Sequence, residues 1–238
     1  MTPPAYLTPF VLIADVVIIG VVLLGLQVAL ARTGFPADTR RTIMRRASLV
    51  LAGWFLVALA LGYFGVFRGV ADRWPTIQLG ILIPIAVGLV VLWRSQFAAQ
   101  IIDAAPQSWL VGVQFYRALG IIFILLHAAG QLPSQFALPA GWGDIAVGIV
   151  APIVGIAYAR GLYGARAAVL GWNIFGLADL VIAVTMGFLT SPSPFQALAF
   201  DAPNRLISAF PLVMVPVFAV PLSVLLHVVS MIKLKRSL

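Results

Sequence analysis

Residues 8–31 read TPFVLIADVVIIGVVLLGLQVALA, an apolar run that contains one charged side chain, Asp15. A helix needs about 20 apolar residues to cross the ~30 Å hydrocarbon core of a bilayer, so this run predicts a transmembrane span. Six more runs of comparable length follow. We therefore expect an all-α fold, a seven-helix membrane bundle that forms a single domain over residues 1–238. The predicted spans are Thr8 to Ala31, Ser48 to Phe67, Ile77 to Trp93, Trp109 to Gly130, Ala140 to Tyr158, Ala167 to Leu189 and Ser208 to Met231.

The composition excludes a water-soluble protein. Hydrophobic residues make up 62% of the chain and charged residues 9%, with a mean hydropathy of +1.09, whereas about a quarter of the residues in a soluble domain are charged. All seven acidic residues are aspartates, and there is no cysteine. Disulfides, thiolate metal sites, thiol catalysis and the glutamate motifs of membrane metalloproteases are therefore excluded.

The end of the first run, Ala29-Leu30-Ala31, has the small residues of a signal-peptidase site. No basic residue precedes this run, however, and the run is longer than the hydrophobic region of a signal peptide. We therefore expect the first helix to be retained.

Arginine and lysine are distributed unequally between the two sides of the predicted bundle. Eleven of the 15 basic residues lie on one side, and only Arg68, Arg73 and Arg205 lie on the other. The positive-inside rule then predicts an outer N-terminus and a cytoplasmic C-terminus. Because topology explains most of the net charge of +8, we expect membrane lipids as partners and no nucleic acid. The eleven are Arg32, Arg40, Arg41, Arg45, Arg46, Arg94, Arg160, Arg166, Lys233, Lys235 and Arg236.

Four charged side chains lie within the predicted spans, where each costs about 2.5–3.5 kcal/mol at a helix centre and must face protein or water. At 1.5 Å per residue, Arg117 and Asp179 lie within about 3 Å of their span midpoints, so we predict an ion pair between them. Asp15 and Asp144 lie about 6–7 Å toward the outside, and His127 about 12 Å toward the outside. These five residues predict one polar pocket that opens outward.

Further residues are expected to support this pocket. Trp172 and Gly176 share a helix face with Asp179. Pro216 and Pro221 interrupt the backbone hydrogen bonds of the seventh span, as in the broken helices of transporters. His227 comes out about 12 Å toward the cytoplasm, on the far side of the membrane from His127. The supporting residues are Trp142, Trp172, Gly176, Pro216, Pro221 and His227.

Structural roles explain the same residues without any ligand. The pair of Arg117 and Asp179 would hold two helices together. Asp144 would cap the start of the fifth helix, and His127 would be an interfacial hydrogen-bonding residue. Kinks at proline also occur without function. Three carboxylates in one half of the membrane nevertheless exceed what such roles require.

The sequence predicts no cofactor and no metal. A retinal Schiff base needs a lysine within the last helix, and Lys233 and Lys235 lie beyond its predicted end. A haem held by two histidines needs both at one depth, and a membrane zinc hydrolase needs three histidines where this chain has two.

The segments Leu138 to Asp144 (LPAGWGD) and Pro211 to Pro221, with Leu226-His227 after them, resemble parts of uncharacterised bacterial seven-span membrane proteins. The resemblance covers at most the second half of the chain and implies no activity. It implies a bacterial source, so the expected location is the bacterial cytoplasmic membrane. From the residues, the leading hypothesis is transport or sensing of a small solute or cation. The alternatives are a membrane enzyme or assembly factor acting on a lipid, quinone or envelope substrate, with His127 and Asp144 as acid and base, and a purely structural membrane subunit.

Overall fold

The computed structural model describes residues 3–236, and within that range the chain forms eight helices. Seven of them are long and apolar enough to cross a membrane, which confirms the predicted all-α, seven-span architecture. The eighth, α4, is short. The helices are α1 (Leu7–Ala31), α2 (Ala37–Tyr63), α3 (Ile77–Arg94), α4 (Gln96–Ala104), α5 (Gln107–Ala128), α6 (Ser134–Ala159), α7 (Ala165–Thr190) and α8 (Val215–Arg236).

Two of the long helices change geometry along their length. The middle of α5, Val113–Gly120, is a 3-10 helix between two α-helical ends. The first turn of α8, Val215–Ala219, is a π-helix that contains Pro216. Proline cannot donate the hydrogen bond of a regular turn, and a wider turn is one way to accommodate that loss.

Several helix boundaries differ from those predicted. The last helix begins at Val215 rather than Ser208, because residues 191–213 form turns, bends and irregular structure. Helix α6 begins at Ser134, so Asp144 lies ten residues inside it and cannot cap its N-terminus. Helix α4 was not predicted; the Ser95 side chain caps it by accepting a hydrogen bond from the Ala98 N–H at 3.2 Å.

The second half of the chain forms the centre of the bundle. Of the membrane-spanning windows, 50% of α5 and 44% of α8 is buried, against 11% of α2 and 11% of α3. Helix α6 packs closely on α5 through glycines seven residues apart, Gly141, Gly148 and Gly155. A Cβ at Gly155 would lie 2.9 Å from the Ser108 carbonyl oxygen, so only glycine permits this approach.

The two ends of the bundle differ in charge. We call the end that holds the α1–α2, α3–α5 and α6–α7 connectors and the last residues of α8 the basic end, and the other the N-terminal end. At the basic end, Arg236 contacts Asp103 of α4 at 3.2 Å. At the N-terminal end, the Gly69 N–H donates to Ser208 Oγ at 3.0 Å and joins the α2–α3 connector to the α7–α8 connector.

Candidate functional site

Arg117 is the centre of a buried polar cluster in the middle of the bundle. It lies in the 3-10 segment of α5 and is 4% exposed. Its Nη2 contacts Asp179 Oδ2 on α7, which confirms the predicted ion pair. Its Nε donates to Asp144 Oδ1 on α6 at 2.7 Å, so a second carboxylate shares the same guanidinium.

His227 of α8 completes the ring around Arg117. Arg117 Nη1 lies 3.1 Å from His227 Nε2 and 3.2 Å from the Gly176 carbonyl oxygen. A guanidinium has no acceptor, so Nε2 accepts and the hydrogen of the imidazole is on Nδ1. Nδ1 lies 2.9 Å from Asn173 Oδ1, to which it donates. The expected distance of about 12 Å between His227 and the membrane centre is therefore wrong, because α8 begins seven residues later than predicted.

Buried side chains extend the cluster from His227 toward the basic end. Asn173 Nδ2 donates to Ser230 Oγ at 2.9 Å, and Gln107 Nε2 donates to the same oxygen at 2.6 Å. Trp172 packs on the His227 ring with centroids 4.8 Å apart and donates its Nε1 hydrogen to the Val147 carbonyl at 3.0 Å. The imidazole is thus fixed from three sides.

Glycines provide the space that this cluster occupies. A Cβ at Gly143 would overlap the Asp179 carboxylate, and one at Gly120 would overlap the Asp144 side chain. A Cβ at Gly176 would meet the His227 ring. The cluster therefore depends on the absence of side chains at particular positions as well as on its polar groups.

Asp15 of α1 lies beside this cluster and is not bonded to it. The residue is 2% exposed, and among residues 3–236 its Oδ2 has no hydrogen-bond partner. It lines a cavity of about 60 Å³ that also reaches Arg117 and Asp144. A buried polar atom without a partner is costly, and a cavity of this volume beside polar groups can hold water-sized ligands. The other lining residues include Phe10, Val11, Ile18, Tyr116, Gly120, Ile122, Phe123, Leu180, Val215, Ala219 and Ser223.

The hydroxyl groups of Tyr116 and Ser223 also line this cavity. Ser223 Oγ donates to the Ala219 carbonyl at 2.9 Å, and it lies 2.7 Å from the Tyr116 hydroxyl. Since a serine has one hydroxyl hydrogen, Tyr116 donates to Ser223 and its own oxygen keeps a free lone pair. Asp15 and Tyr116 thus both offer acceptors to the cavity.

A second cavity, of about 50 Å³, adjoins the first and leads toward the N-terminal end. Asp144 lines both cavities, as do Phe123, Leu180, Val215 and Val220. The second cavity extends to Ser191 at the start of the α7–α8 connector and to Gln78 at the start of α3. Gln78 Oε1 is buried and has no partner in the described part of the chain.

Negative charge exceeds positive charge in this region. Among residues 3–236, Arg117 is the only basic side chain that lines the first cavity. Asp15 and Asp144 line the same cavity, and Asp179 contacts Arg117. His227 accepts from Arg117 and so contributes no positive charge. A proton or another cation would balance the excess charge. Residues 3–236 contain no group of three or more histidine and aspartate side chains placed to hold a metal ion.

The structure separates one predicted pocket residue, His127, and one predicted supporting residue, Trp142, from the rest. His127 does not line either of these two cavities; its Nδ1 is 2.9 Å from the Leu132 carbonyl oxygen in the loop that follows α5. Trp142 is 59% exposed on the outer face of α6. Pro216 is buried and lines the second cavity, and Pro221 is buried in the first turn of the α-helical part of α8.

Sequence reasoning missed the polar residues that extend the cluster. Gln107, Gln114 and Tyr116 on α5 and Asn173 on α7 were not proposed as site residues. A signal for them exists, because Gln107 and Gln114 are seven residues apart on the α5 face that meets α8. Uncharged polar side chains within apolar spans are therefore informative alongside the charged ones.

Comparison with known proteins places the chain in a family without a known activity. Residues 74–235 match the model of a domain of unknown function, DUF8737. The match includes Arg117, Asp144, Asp179 and His227, whereas Asp15 precedes it. No curated protein and no solved structure matches the chain. Because the match covers more than half of its 238 residues, the chain belongs to the DUF8737 family of domains of unknown function.

Proposed function

We propose that this protein transports a small cation or protonated solute, which enters from the N-terminal end of the bundle and binds between Asp15 and Asp144. The observation that carries the proposal is the unpartnered Oδ2 of Asp15, a buried carboxylate oxygen that faces a cavity. Burial of such a group without a partner costs stability, so its retention is most simply explained by a ligand that supplies the missing donor.

The shared lining of the two cavities supports entry from the N-terminal end. A ligand at Ser191 and Gln78 would have a continuous route to Asp144, and Asp144 is also the boundary of the chamber that contains Asp15. Gln78 offers a second free acceptor on this route. The positive-inside rule favours an outer position for this end, so the proposed direction of entry is inward.

Arg117 would have a fixed role in this mechanism. Its contacts with Asp144 and Asp179 hold one positive charge at the inner boundary of the chamber. A bound cation would then interact with the free carboxylate of Asp15 and with Asp144, whose second oxygen is not used by Arg117. The π-helical turn of α8 lines the same chamber through Val215 and Ala219 and would be the element that adjusts when the ligand moves.

The two alternative functions have less support. An enzyme with His127 and Asp144 as acid and base needs these side chains close together, but His127 bonds the loop at Leu132 and does not line the chamber of Asp144. A purely structural role explains the bonded cluster around Arg117. It does not explain Asp15, which is buried without a partner.

Purified protein in proteoliposomes tests the proposal with two probes. Proton flux is followed with an entrapped pH dye under an imposed membrane potential, and uptake of radiolabelled methylammonium is followed as a small organic cation. We expect flux of at least one probe above protein-free vesicles. Asp15→Asn should lower that flux by at least about tenfold, because a hydrogen bond to a charged group contributes about 1.5–3 kcal/mol.

Asp72→Asn is the matched control, since Asp72 is exposed in the α2–α3 connector. Its flux should equal that of the unmodified protein. If neither probe crosses the vesicle membrane but methylammonium still binds the solubilised protein in an Asp15-dependent way, the site acts in sensing rather than transport. Flux that is equal in the unmodified protein and Asp15→Asn, or the absence of both flux and binding, would refute the proposal.

A further inference from the structure

A separate apolar cavity of about 250 Å³ lies near the basic end, between α1, α3, α4, α5 and α8. Its wall includes Ala29, Ile102, Ala105 and Leu110, which are all less than 9% exposed, so part of the cavity lies between helices. Trp109 also lines it, and its indole packs against α1 at Gly25, where a Cβ would overlap the ring. The wall carries no charged side chain among the described residues.

A cavity of about 360 Å³, which we call the arginine-lined cavity, adjoins the apolar one. The two share Leu92 and Ile102. The arginine-lined cavity is formed by Arg94 and Arg236 together with Ser95 and other residues at the junction of α3 and α4. An apolar chamber therefore leads into a cationic, hydrogen-bonding mouth at the membrane boundary.

The net charge at the mouth of the arginine-lined cavity is positive even when the nearby carboxylate of Asp103 is counted. Arg236 contacts Asp103 at 3.2 Å, and both side chains are about half exposed. The Lys233 ammonium contacts the main-chain carbonyl of Asp103 rather than its carboxylate. Arg94 forms no hydrogen bond or ion pair with the described residues, so its guanidinium is available to a ligand. The two arginines and one lysine thus exceed the single carboxylate by two positive charges.

We propose that these two cavities form a binding site for an anionic phospholipid, with an acyl chain in the apolar chamber and the phosphate between Arg94 and Arg236. The apolar chamber would give a free phosphate ion no contact, and the two uncompensated positive charges at the mouth favour a head group with a net negative charge over a zwitterionic one. The amphiphilic shape and the charge of the site together favour an anionic lipid. This proposal does not rest on the transport function, because the site lies at the opposite end of the bundle from the route to Asp15.

Trp109 provides a local probe of the apolar chamber. Detergent-solubilised protein is titrated with phosphatidylglycerol that carries bromine on its acyl chains, and separately with brominated phosphatidylcholine. Quenching by the acyl chain is measured as the difference between the unmodified protein and Trp109→Phe. We expect phosphatidylglycerol to quench the Trp109 signal at a lower lipid fraction than phosphatidylcholine, with saturation.

Arg94→Gln/Arg236→Gln should weaken phosphatidylglycerol binding by about 30-fold, as expected for two basic groups near an anionic surface. Arg32→Gln/Arg160→Gln is the control, because it removes the same charge from exposed positions that line neither cavity. Arg94→Lys/Arg236→Lys keeps the charge and should keep the preference for the anionic lipid. Equal quenching by both lipids, or quenching that the glutamine variant leaves unchanged, would show ordinary lipid solvation and overturn the proposal. Displacement by excess inorganic phosphate would also overturn it, in favour of a site for a free anion.

Discussion

Arg117 Nη1 lies 3.1 Å from His227 Nε2, although 110 residues separate the two side chains in the sequence. With the bonds to Asp144, Asp179 and the Gly176 carbonyl, four of the five N–H groups of the guanidinium have protein partners. Arg117 is therefore a fixed charge that joins α5 to α6, α7 and α8. Asp15 differs from Arg117, because its buried Oδ2 has no hydrogen-bond partner among the described residues.

The first prediction concerns the removal of Arg117. Arg117→Leu leaves the carboxylates of Asp144 and Asp179 buried without their cation, which should lower the free energy of unfolding by about 3–5 kcal/mol. Arg117→Leu/Asp179→Asn should recover only part of this loss, because Asp144 still lacks its partner. The triple variant that also contains Asp144→Asn should recover most of it. Unfolding in detergent micelles measures each value, and equal losses in the single and triple variants would contradict the ion cluster.

The pair of Arg117 and Asp179 was predictable because each lies close to the middle of its helix. The midpoint of α5 falls beside Arg117 and that of α7 falls about 2 Å from Asp179, as the apolar runs had indicated. A charged side chain in an apolar run is costly to bury in the membrane, so it needs a partner, and its position along the helix gives the depth at which that partner must lie. Depth alone could not show that Asp144 is a second partner of Arg117.

The position of His227 was not predictable by the same method. The predicted seventh span began at Ser208, whereas α8 begins at Val215 and its midpoint falls about 2 Å from His227. Residues 209–214 are apolar, so hydropathy could not distinguish the turns that precede α8 from the helix itself. The conformation of this segment depends on tertiary contacts, such as that of Ser208 with Gly69, which no local pattern reveals.

The second prediction tests the space that glycine leaves for the cluster. Gly143→Ala places a methyl group on the Asp179 carboxylate and should destabilise the protein by about 1–3 kcal/mol through overpacking. Gly171→Ala is the control, because a Cβ at this position of α7 meets no atom within 4 Å. It should leave stability unchanged or raise it by up to about 1 kcal/mol, since alanine favours a helix. Similar thermal unfolding midpoints for the two variants would mean that α6 does not approach Asp179 as described.

The third prediction concerns the orientation in the membrane. The chain contains no cysteine, so single cysteines can be introduced without a background. Ala202→Cys is exposed at the N-terminal end, and Gly34→Cys is exposed at the basic end. A membrane-impermeant thiol reagent should label Ala202→Cys in intact cells and Gly34→Cys only after permeabilisation. The reverse pattern would place the cavity of Asp15 and Asp144 nearer the cytoplasmic end and reverse the proposed direction of entry.

The fourth prediction is that two aspartates of one cavity respond oppositely to the same substitution. Asp144 bonds Arg117 at 2.7 Å, so Asp144→Leu removes a partner of a buried cation and should destabilise the protein by about 3–5 kcal/mol. Asp15 has no such bond and is 2% exposed, so Asp15→Leu removes an unsatisfied polar group and should stabilise the protein by about 1–3 kcal/mol. Unfolding in detergent micelles gives both values.

The gain in stability at Asp15 should be accompanied by a loss of flux, because a residue kept at a cost to stability is typical of a functional site. Asp15→Leu would then be more stable than the unmodified protein and inactive in proteoliposomes. A stabilised variant with unchanged flux would separate Asp15 from the function. If Asp15→Leu instead destabilises the protein as much as Asp144→Leu does, Asp15 has a structural partner, and the free carboxylate that supports cation transport does not exist.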